Sequence, residues 1–187
     1  MPGPAEGGPS FPLSHRFFRA CWIGCWLLLA SWTPPPFAPW RRWLLRCFGA
    51  HIAPGARVYG SARIWYPPHL QMAPYSVLGP RSECYCMAPV AIGDHATVSQ
   101  GARLYTGSHD VEDPDFSLVS KPIVIGDRAW IAAEAFVGPG VTVGEGAVLG
   151  ARGVAFSDLA PWTIYAGNPA KPLRRRRVVF PDVGRNG

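Results

Sequence analysis

Aliphatic side chains recur at every sixth position through much of this chain of 187 residues. The repeat is clearest in residues 123–152, where Gly or Ala follows the aliphatic residue and a small residue tends to stand two positions before it. A period of six is neither the period of about 3.6 of an α-helix nor the period of about 2 of a strand. Such a long internal repeat constrains the fold more than any single segment does. The repeated positions are Ile52, Val58, Ile64 and Leu70, then Ile92, Val98 and Leu104, then Ile125, Ile131, Val137, Val143 and Leu149, with Ala155 in the next slot.

Six residues make one short strand and one turn, so three such units close a triangular coil of about 18 residues. Each aliphatic side chain then stacks on its counterpart one coil away, and neighbouring coils pair as parallel strands about 4.8 Å apart. The many glycines suit corners that need unusual backbone angles. The sequence therefore predicts an all-β fold, a left-handed parallel β-helix of hexapeptide repeats with an N-terminal helical segment and an extruded loop.

The repeat is interrupted at two places. The separation of Leu104 from Ile125 is not a multiple of six, which predicts that residues 105–122 contain a loop that leaves the coil and returns to it. Residues 71–86 fit the repeat poorly, with Leu78 as the best local match, and a smaller bulge is predicted there. The β-helix domain is expected to span residues 51–168.

The N-terminal third has a different pattern. Residues 1–16 are predicted to be disordered, and residues 17–50 to form a helical, amphipathic segment. Within that segment we expect a helix from Phe17 to Trp32, a stop in the proline run 33–39, and a short second helix that ends at Gly49. The uncharged run of about 13 residues in the first helix is too short to cross a bilayer of about 30 Å, so the helix should pack on the body or lie on a membrane surface. The tryptophans of this segment are expected to serve helix packing: Trp22, Trp26, Trp32, Trp40 and Trp43.

The net charge of +6 is concentrated in residues 171–177, within a predicted basic C-terminal tail over residues 169–187. A basic run is usually a solvated tail, and the alternatives are a site for an anionic ligand such as a nucleotide phosphate or contact with an anionic membrane. No zinc-finger spacing or RNA-binding signature accompanies it, so nucleic acid is not an expected partner. The five cysteines are odd in number and lack zinc-type pairs, which favours reduced thiols in a cytoplasmic protein.

The loop begins with Ser108, His109 and Asp110, where the chain leaves a regular strand. A neutral imidazole, with a pKa near ~6.5, can take a proton from a hydroxyl near neutral pH, which suits acyl transfer from a thioester to an alcohol. Asp110, Asp113 or Asp115 is a candidate for orienting the ring. A zinc enzyme on this fold would need three histidines from adjacent coils, and only His95 and His109 lie close in sequence, so no metal site is predicted.

Two longer segments, 129–151 and 161–176, together with the repeat and the loop histidine, resemble the hexapeptide-repeat O-acetyltransferases, which include galactoside and maltose acetyltransferases. The segments 31–50, 97–110 and 115–126 resemble the colanic acid biosynthesis acetyltransferases of that family more closely. The resemblance covers roughly residues 20 to 177, and its motifs are specific in combination. It implies an acetyl-CoA-dependent O-acetyltransferase that acts on a sugar hydroxyl in the assembly of a surface polysaccharide.

The resemblance also implies residue roles. His109 would be the catalytic base, and the enzyme would be a homotrimer with each active site between two β-helices. The acceptor would lie against Tyr85, Cys86 and Asp110. Acetyl-CoA would be bound by Trp130 along its arm, by backbone groups near Ala132, Ala133, Gly150 and Ala151, and by Lys171 and Arg174 at its phosphates.

Cys86 departs from the family pattern, because relatives in this branch tend to have an asparagine there that contacts the acceptor. A thiol cannot replace the paired donor and acceptor of an amide. The alternative is a non-catalytic β-helix scaffold or binding subunit that has lost acyltransferase activity. The expected location is cytoplasmic, with peripheral membrane contact through residues 17–46 at the inner face as a further hypothesis.

Overall fold

The computed structural model of the protein describes residues 11–177. Short strands alternate with turns, and they form three parallel sheets that are the faces of a triangular prism, a left-handed parallel β-helix as the repeat predicts. The first sheet has the strand order β1-β4-β7-β12-β15, the second β2-β5-β8-β13-β16-β18-β19, and the third β3-β6-β9-β14-β17. The strands are β1 (His51–Ile52), β2 (Arg57–Val58), β3 (Arg63–Ile64), β4 (Leu70–Met72), β5 (Val77–Leu78), β6 (Glu83–Tyr85), β7 (Val90–Ile92), β8 (Thr97–Val98), β9 (Arg103–Tyr105), β10 (Gly107–His109), β11 (Leu118–Ser120), β12 (Ile123–Ile125), β13 (Trp130–Ile131), β14 (Phe136–Val137), β15 (Thr142–Val143), β16 (Val148–Leu149), β17 (Val154–Ala155), β18 (Thr163–Ala166) and β19 (Lys171–Arg175).

The core is a set of aliphatic side chains stacked from coil to coil. On the second sheet Val58 pairs with Leu78, Leu78 with Val98, Val98 with Ile131, and Ile131 with Leu149, and all five are fully buried. Burial of one such side chain contributes about 1.5–3 kcal/mol. The six-residue period thus holds the prism together by a column of apolar contacts along each face.

The coils differ in length at one corner only, the corner between the third and first sheets. Ile52 pairs with Met72 and Met72 with Ile92, so Met72 rather than the predicted Leu70 continues the column on the first sheet. The extra residues of these coils lie at 65–69 and 85–89, and β4, β5 and β6 are regular. The bulge or short loop predicted within residues 71–86 is thus confirmed only at the end of that range, at residues 85–86. Leu70 fits the six-residue count because it is aliphatic. It lies two residues before Met72 and is buried on the same side of β4.

The third interruption at this corner is the predicted loop. Strands β10 and β11 form an antiparallel hairpin in which Gly107 pairs with Ser120 and His109 with Leu118. The chain leaves the coil after β9 and returns at β12, within the predicted range 105–122. His109 thus lies on a strand that projects from the corner rather than on an irregular loop.

Two helices cover the start of the β-helix. Helix α1 (Leu13–Leu29) begins four residues before the predicted start at Phe17, so the predicted disorder is wrong for residues 13–16, whereas residues 1–10 lie outside the described part of the chain. A short 3₁₀ turn, Pro35–Phe37, leads into α2 (Ala38–Cys47). Gly49 has φ +87°, which confirms it as the residue that ends α2.

The basic segment near the C-terminus is structured. Strand β19 pairs antiparallel with β18, with Ile164 opposite Arg174 and Ala166 opposite Lys171. Residues 171–175 are exposed, as predicted for a solvated segment, but they form a paired strand rather than a free tail; residues 178–187 lie outside the described range. This pairing places a row of cations at the edge of the second sheet.

Candidate active site

His109 is exposed near the base of the hairpin, and its ring is fixed from two sides. Its Nδ1 lies 2.7 Å from the carbonyl oxygen of Phe116. The imidazole is also stacked on the Phe116 ring, with the centroids 4.4 Å apart and the planes 9° apart. Since a carbonyl can only accept, Nδ1 carries the proton in this hydrogen bond. The neutral ring therefore keeps the lone pair of Nε2 free to accept a proton.

Among the described residues, no carboxylate holds the imidazole ring of His109. Asp110 Oδ1 accepts the backbone N–H of Glu112 at 3.0 Å, and Asp113 Oδ1 accepts that of Asp115 at 3.0 Å. A hydrogen bond from Ser117 lowers the pKa of Asp113, which keeps that carboxylate charged and engaged within the hairpin turn. The prediction that Asp110, Asp113 or Asp115 orients His109 is wrong, because the Phe116 carbonyl does so.

Aromatic residues line the same corner below the hairpin. Tyr85 lies between Trp65 and Tyr105, with ring centroids 5.3 and 5.4 Å away. A Cβ placed on Gly107 would collide with Met87 Sδ and lie 3.2 Å from the Tyr85 ring, so Tyr85 packs against the start of the strand that carries His109. The structure therefore brings the predicted acceptor residue Tyr85 to the root of the hairpin.

Tyr105 is not a second base at this corner. Burial raises its pKa to about 12, and the hydrogen bond of its hydroxyl to Glu83 Oε2, 2.5 Å away, adds to that rise. The phenol stays protonated at neutral pH. Of the two groups, His109 is the one that can accept a proton there.

Cys86 does not face the acceptor. Its side chain is fully buried, and Sγ lies 3.2 Å from the carbonyl oxygen and 3.4 Å from the amide nitrogen of Tyr66. Cys84 is buried on the same side of the strand, as its two-residue separation predicts. The predicted contact of Cys86 with substrate is wrong, because the thiol instead ties together two coils at the corner.

Trp130 lies on the second sheet, on the outer surface of the prism. The side chain is 46% exposed, and its indole N–H donates to Ser99 Oγ at 2.8 Å, which fixes the ring against the sheet. An exposed indole held in this way is a flat apolar platform with its polar group already satisfied. It suits the apolar arm of a ligand.

The backbone groups predicted to bind the donor divide into two kinds. The N–H groups of Ala132 and Gly150 are already used, since they donate to Leu149 O at 2.9 Å and Tyr165 O at 2.7 Å. Those of Ala133 and Ala151 have no hydrogen-bond partner within residues 11–177. Only the latter two N–H groups are available to a ligand.

The cations of the C-terminal segment form a cluster at the edge of the same sheet. Arg174, Arg175 and Arg177 line one surface depression, and Lys171 lies on the same strand as the first two. Arg176 is different, because its Nη1 donates to the carbonyls of Arg128 at 2.9 Å and Gly146 at 3.0 Å and so anchors the segment. Arg175 and Arg177 were not among the predicted site residues, although the run of four arginines in the sequence includes them.

The hairpin and the Trp130 surface lie on opposite sides of the chain. The hairpin rises from the corner between the third and first sheets, and Trp130 lies on the second sheet, which is the face opposite that corner. One chain therefore does not bring His109 and Trp130 to the same ligand. Among the described residues no group of three His, Cys, Asp or Glu side chains is placed to hold a metal ion.

Comparison with known proteins gives both a sequence relative and structural neighbours. No protein-family model matches the chain. It is 38% identical over 173 residues to WcaF of Escherichia coli strain K12, a protein named provisionally as a colanic acid biosynthesis acetyltransferase; the match covers 90% of this chain and 95% of WcaF. A hexapeptide-repeat acetyltransferase from Vibrio cholerae, solved with acetyl-CoA, superposes with a TM-score of 0.81 at 23% identity and 94% and 96% coverage of the two chains. A galactoside acetyltransferase in complex with coenzyme A has a TM-score of 0.81 at 21% identity, with 97% of each chain covered.

Proposed function

Because the chain belongs to the hexapeptide-repeat acetyltransferases and is an acyltransferase with acetyl-CoA as its donor, we propose that it acetylates a sugar hydroxyl in surface-polysaccharide assembly with His109 as general base. One observation carries this proposal. The Phe116 carbonyl holds the proton of His109 on Nδ1, so the exposed Nε2 is unprotonated in the neutral ring. This is the state that a general base needs before the reaction begins.

The proton path follows from that tautomer. Bound acetyl-CoA supplies a thioester whose carbonyl carbon is the electrophile. His109 Nε2 accepts the proton of the acceptor hydroxyl as the hydroxyl oxygen bonds to that carbon. The imidazolium that results is stabilised by its charged hydrogen bond to the Phe116 carbonyl, and it returns the proton to the departing sulfur as the carbon–sulfur bond breaks. His109 is neutral again at the end, and no covalent intermediate on the chain is required.

The residues on the second sheet fit the donor. Trp130 offers an apolar surface for the pantetheine arm, and the N–H groups of Ala133 and Ala151 are available for its amide oxygens. Arg174, Arg175 and their neighbours offer positive charge for the phosphates of coenzyme A. Ala132 and Gly150 contribute shape rather than hydrogen bonds from their N–H groups.

The acceptor is proposed to lie at the root of the hairpin, against Tyr85 and within reach of the Asp110 carboxylate. The non-catalytic alternative was motivated by Cys86, and the buried position of that thiol removes the reason for it. A cytoplasmic location is part of the proposal. It is supported by the five cysteines, all of which are free thiols.

A homotrimer with composite active sites is also proposed. The opposite placement of His109 and Trp130 is the reason, since a second chain can present its second sheet to the hairpin of the first. In a cyclic trimer this contact repeats three times and closes. Each site would then take its base from one chain and its donor-binding surface from the next.

Removal of the Trp130 ring tests the function directly. With sugars and sugar nucleotides as acceptors, the wild-type chain should release free thiol from acetyl-CoA. Trp130→Ala should raise the KM for acetyl-CoA by about tenfold through loss of the stacking surface, with a smaller effect on kcat. The matched control is Trp43→Ala, which removes an exposed indole on α2, at the start of the β-helix and three coils away from Trp130, and should leave KM unchanged. No thiol release with any acceptor, or an unaltered KM in Trp130→Ala, would contradict the proposal.

A further inference from the structure

Helix α1 is apolar on both its inner and its outer face, and two of its polar side chains turn inward. His15 and Arg19 turn toward the body, where His15 packs on Trp65 at 5.1 Å between centroids and the Arg19 guanidinium lies 4.1 Å from the centroid of the same ring. Helices at a protein surface normally present charged residues to water and apolar residues to the core. Here the outward face carries large apolar side chains instead.

The outward face of α1 continues onto the surface of the 3₁₀ turn Pro35–Phe37 and of α2. Ten of the eighteen exposed large hydrophobic residues in the described chain lie between residues 13 and 43. The six most exposed of the ten are Leu13 at 78%, Leu28 at 74%, Phe17 at 73%, Trp32 at 72%, Leu27 at 59% and Trp43 at 54%. We call these ten residues, with the helices that bear them, the N-terminal apolar surface. A patch of this kind marks an interaction site.

The exposure of this surface is not a result of poor packing on the inner face of α1. Trp22 and Trp26 are buried against the β-helix, and their indole N–H groups donate to Ile64 O at 2.7 Å and Gly60 O at 3.0 Å. The predicted packing role is thus confirmed for these two tryptophans. Trp40 is 37% exposed and bonds α2 to Leu29 of α1, so it too contributes to helix packing, whereas Trp32 and Trp43 are mostly exposed.

Two of the exposed indoles, Trp32 and Trp40, have their N–H groups hydrogen-bonded. Trp32 Nε1 donates to Leu28 O and Trp40 Nε1 to Leu29 O, each at 2.8 Å, and the rings of Trp40 and Trp43 stack with centroids 5.0 Å apart. Their outer surfaces are therefore apolar rings at fixed positions. Tryptophan with this character is enriched where proteins meet the boundary between lipid and water.

The charged residues in the chain segment that carries this surface are all basic. Residues 11–82 contain eight arginines and no lysine, aspartate or glutamate. Arg16 is exposed on α1 beside the apolar residues. Such a surface is attracted to anionic phospholipid, and each basic residue near the membrane contributes to the attraction. A second copy of the chain would instead bring the same arginine-bearing helices against it, with like charges opposed.

We propose that the N-terminal apolar surface docks on an anionic phospholipid bilayer, with α1 lying in the plane of the interface. Within residues 11–177 no helix is long and apolar enough to cross a membrane, which agrees with a helix that lies on the surface. The attachment goes beyond the proposed acetyl transfer. It would present the active site to acceptors held at the bilayer.

Co-sedimentation of the full chain with vesicles tests the docking. We expect binding to phosphatidylcholine vesicles that contain about a third phosphatidylglycerol, and much weaker binding to phosphatidylcholine alone. Phe17→Ser combined with Leu28→Ser should weaken binding about tenfold or more, because both side chains lose their insertion into the interface. Arg16→Glu should weaken binding to the anionic vesicles by several fold and leave the residual binding to neutral vesicles unchanged.

The matched control is Phe156→Ser, at an aromatic side chain that is 66% exposed on the third sheet and should not change vesicle binding. No binding by the wild-type chain, or equal binding by the Phe17→Ser/Leu28→Ser variant, would overturn the proposal. A changed subunit number in that variant without vesicles would also overturn it and identify the surface as a contact between copies. Acetyl transfer to soluble sugars, measured on the same samples, should be unaffected by these variants. Its absence in every sample would contradict the acetyl-transfer proposal without touching the docking result.

Discussion

Replacing His109 with alanine is expected to lower kcat for acetyl transfer by roughly 10²–10⁴-fold while coenzyme A still binds. The loss follows from the removal of Nε2, the group that accepts the acceptor proton. Coenzyme A binding should persist because the residues proposed to hold it, such as Trp130 and Arg174, lie on the second sheet and are unchanged. Thiol release gives the rate, and calorimetric titration with coenzyme A gives the dissociation constant.

His95→Ala is the matched control. His95 is also an exposed imidazole on the prism, tilted against the Tyr75 ring with centroids 4.9 Å apart, but its Nδ1 lies 2.8 Å from Asp94 Oδ2 at a different corner. Its removal should leave turnover unchanged. Full turnover in His109→Ala, or an equal loss in His95→Ala, would remove His109 from the mechanism.

Replacing Arg41 with alanine should destabilise the protein by about 2–4 kcal/mol through loss of buried hydrogen bonds. Arg41 is 2% exposed, and within residues 11–177 it makes no ion pair with a carboxylate. Its guanidinium donates instead to the carbonyl oxygens of Val58 at 2.7 Å, Thr33 at 3.1 Å and Pro34 at 3.0 Å. These bonds join α2 and the turn before it to the first coil, and alanine leaves the carbonyls without their donor.

The denaturant midpoint at fixed protein concentration measures this loss, because stability of an assembled chain depends on concentration. Arg42→Ala is the control one residue along, where the guanidinium makes a single bond, to Ala56 O at 3.1 Å. Its effect should stay below about 1 kcal/mol. An Arg41→Ala midpoint equal to that of Arg42→Ala would show that the buried guanidinium does not hold α2 in place.

The hexad pattern predicted the β-helix because each apolar column is local and periodic, and residues 123–152 show it without interruption. The pattern could not locate the two-residue insertions at 65–69 and 85–89. Extra residues at a corner leave the aliphatic residues of the strands unchanged. Leu70 is aliphatic and buried, so it looks like a member of the column although Met72 is the true member. Pairing of Ile52 with Met72 is set by contacts between coils, which a single sequence does not display.

The candidate site was predictable to a similar degree. The break in the repeat pointed to His109, but the group that orients its ring is the backbone carbonyl of Phe116, which any residue would supply. The acids beside His109 were the visible candidates and proved to serve the hairpin turn. The residue type of Cys86 suggested a lost contact with the acceptor. The direction of its side chain, toward Tyr66, follows from the fold of the corner.

Complementation between two inactive chains tests the composite active site most directly. One chain carries His109→Ala, and the other carries alanine at Trp130, Arg174 and Arg175, so that each chain keeps one half of the site. Co-expression and random assembly into trimers should restore thiol release to about a quarter of the wild-type rate, since that share of interfaces combines two intact halves. Activity no greater than the sum of the two separate variants would contradict a site built from the hairpin of one chain and the second sheet of the next.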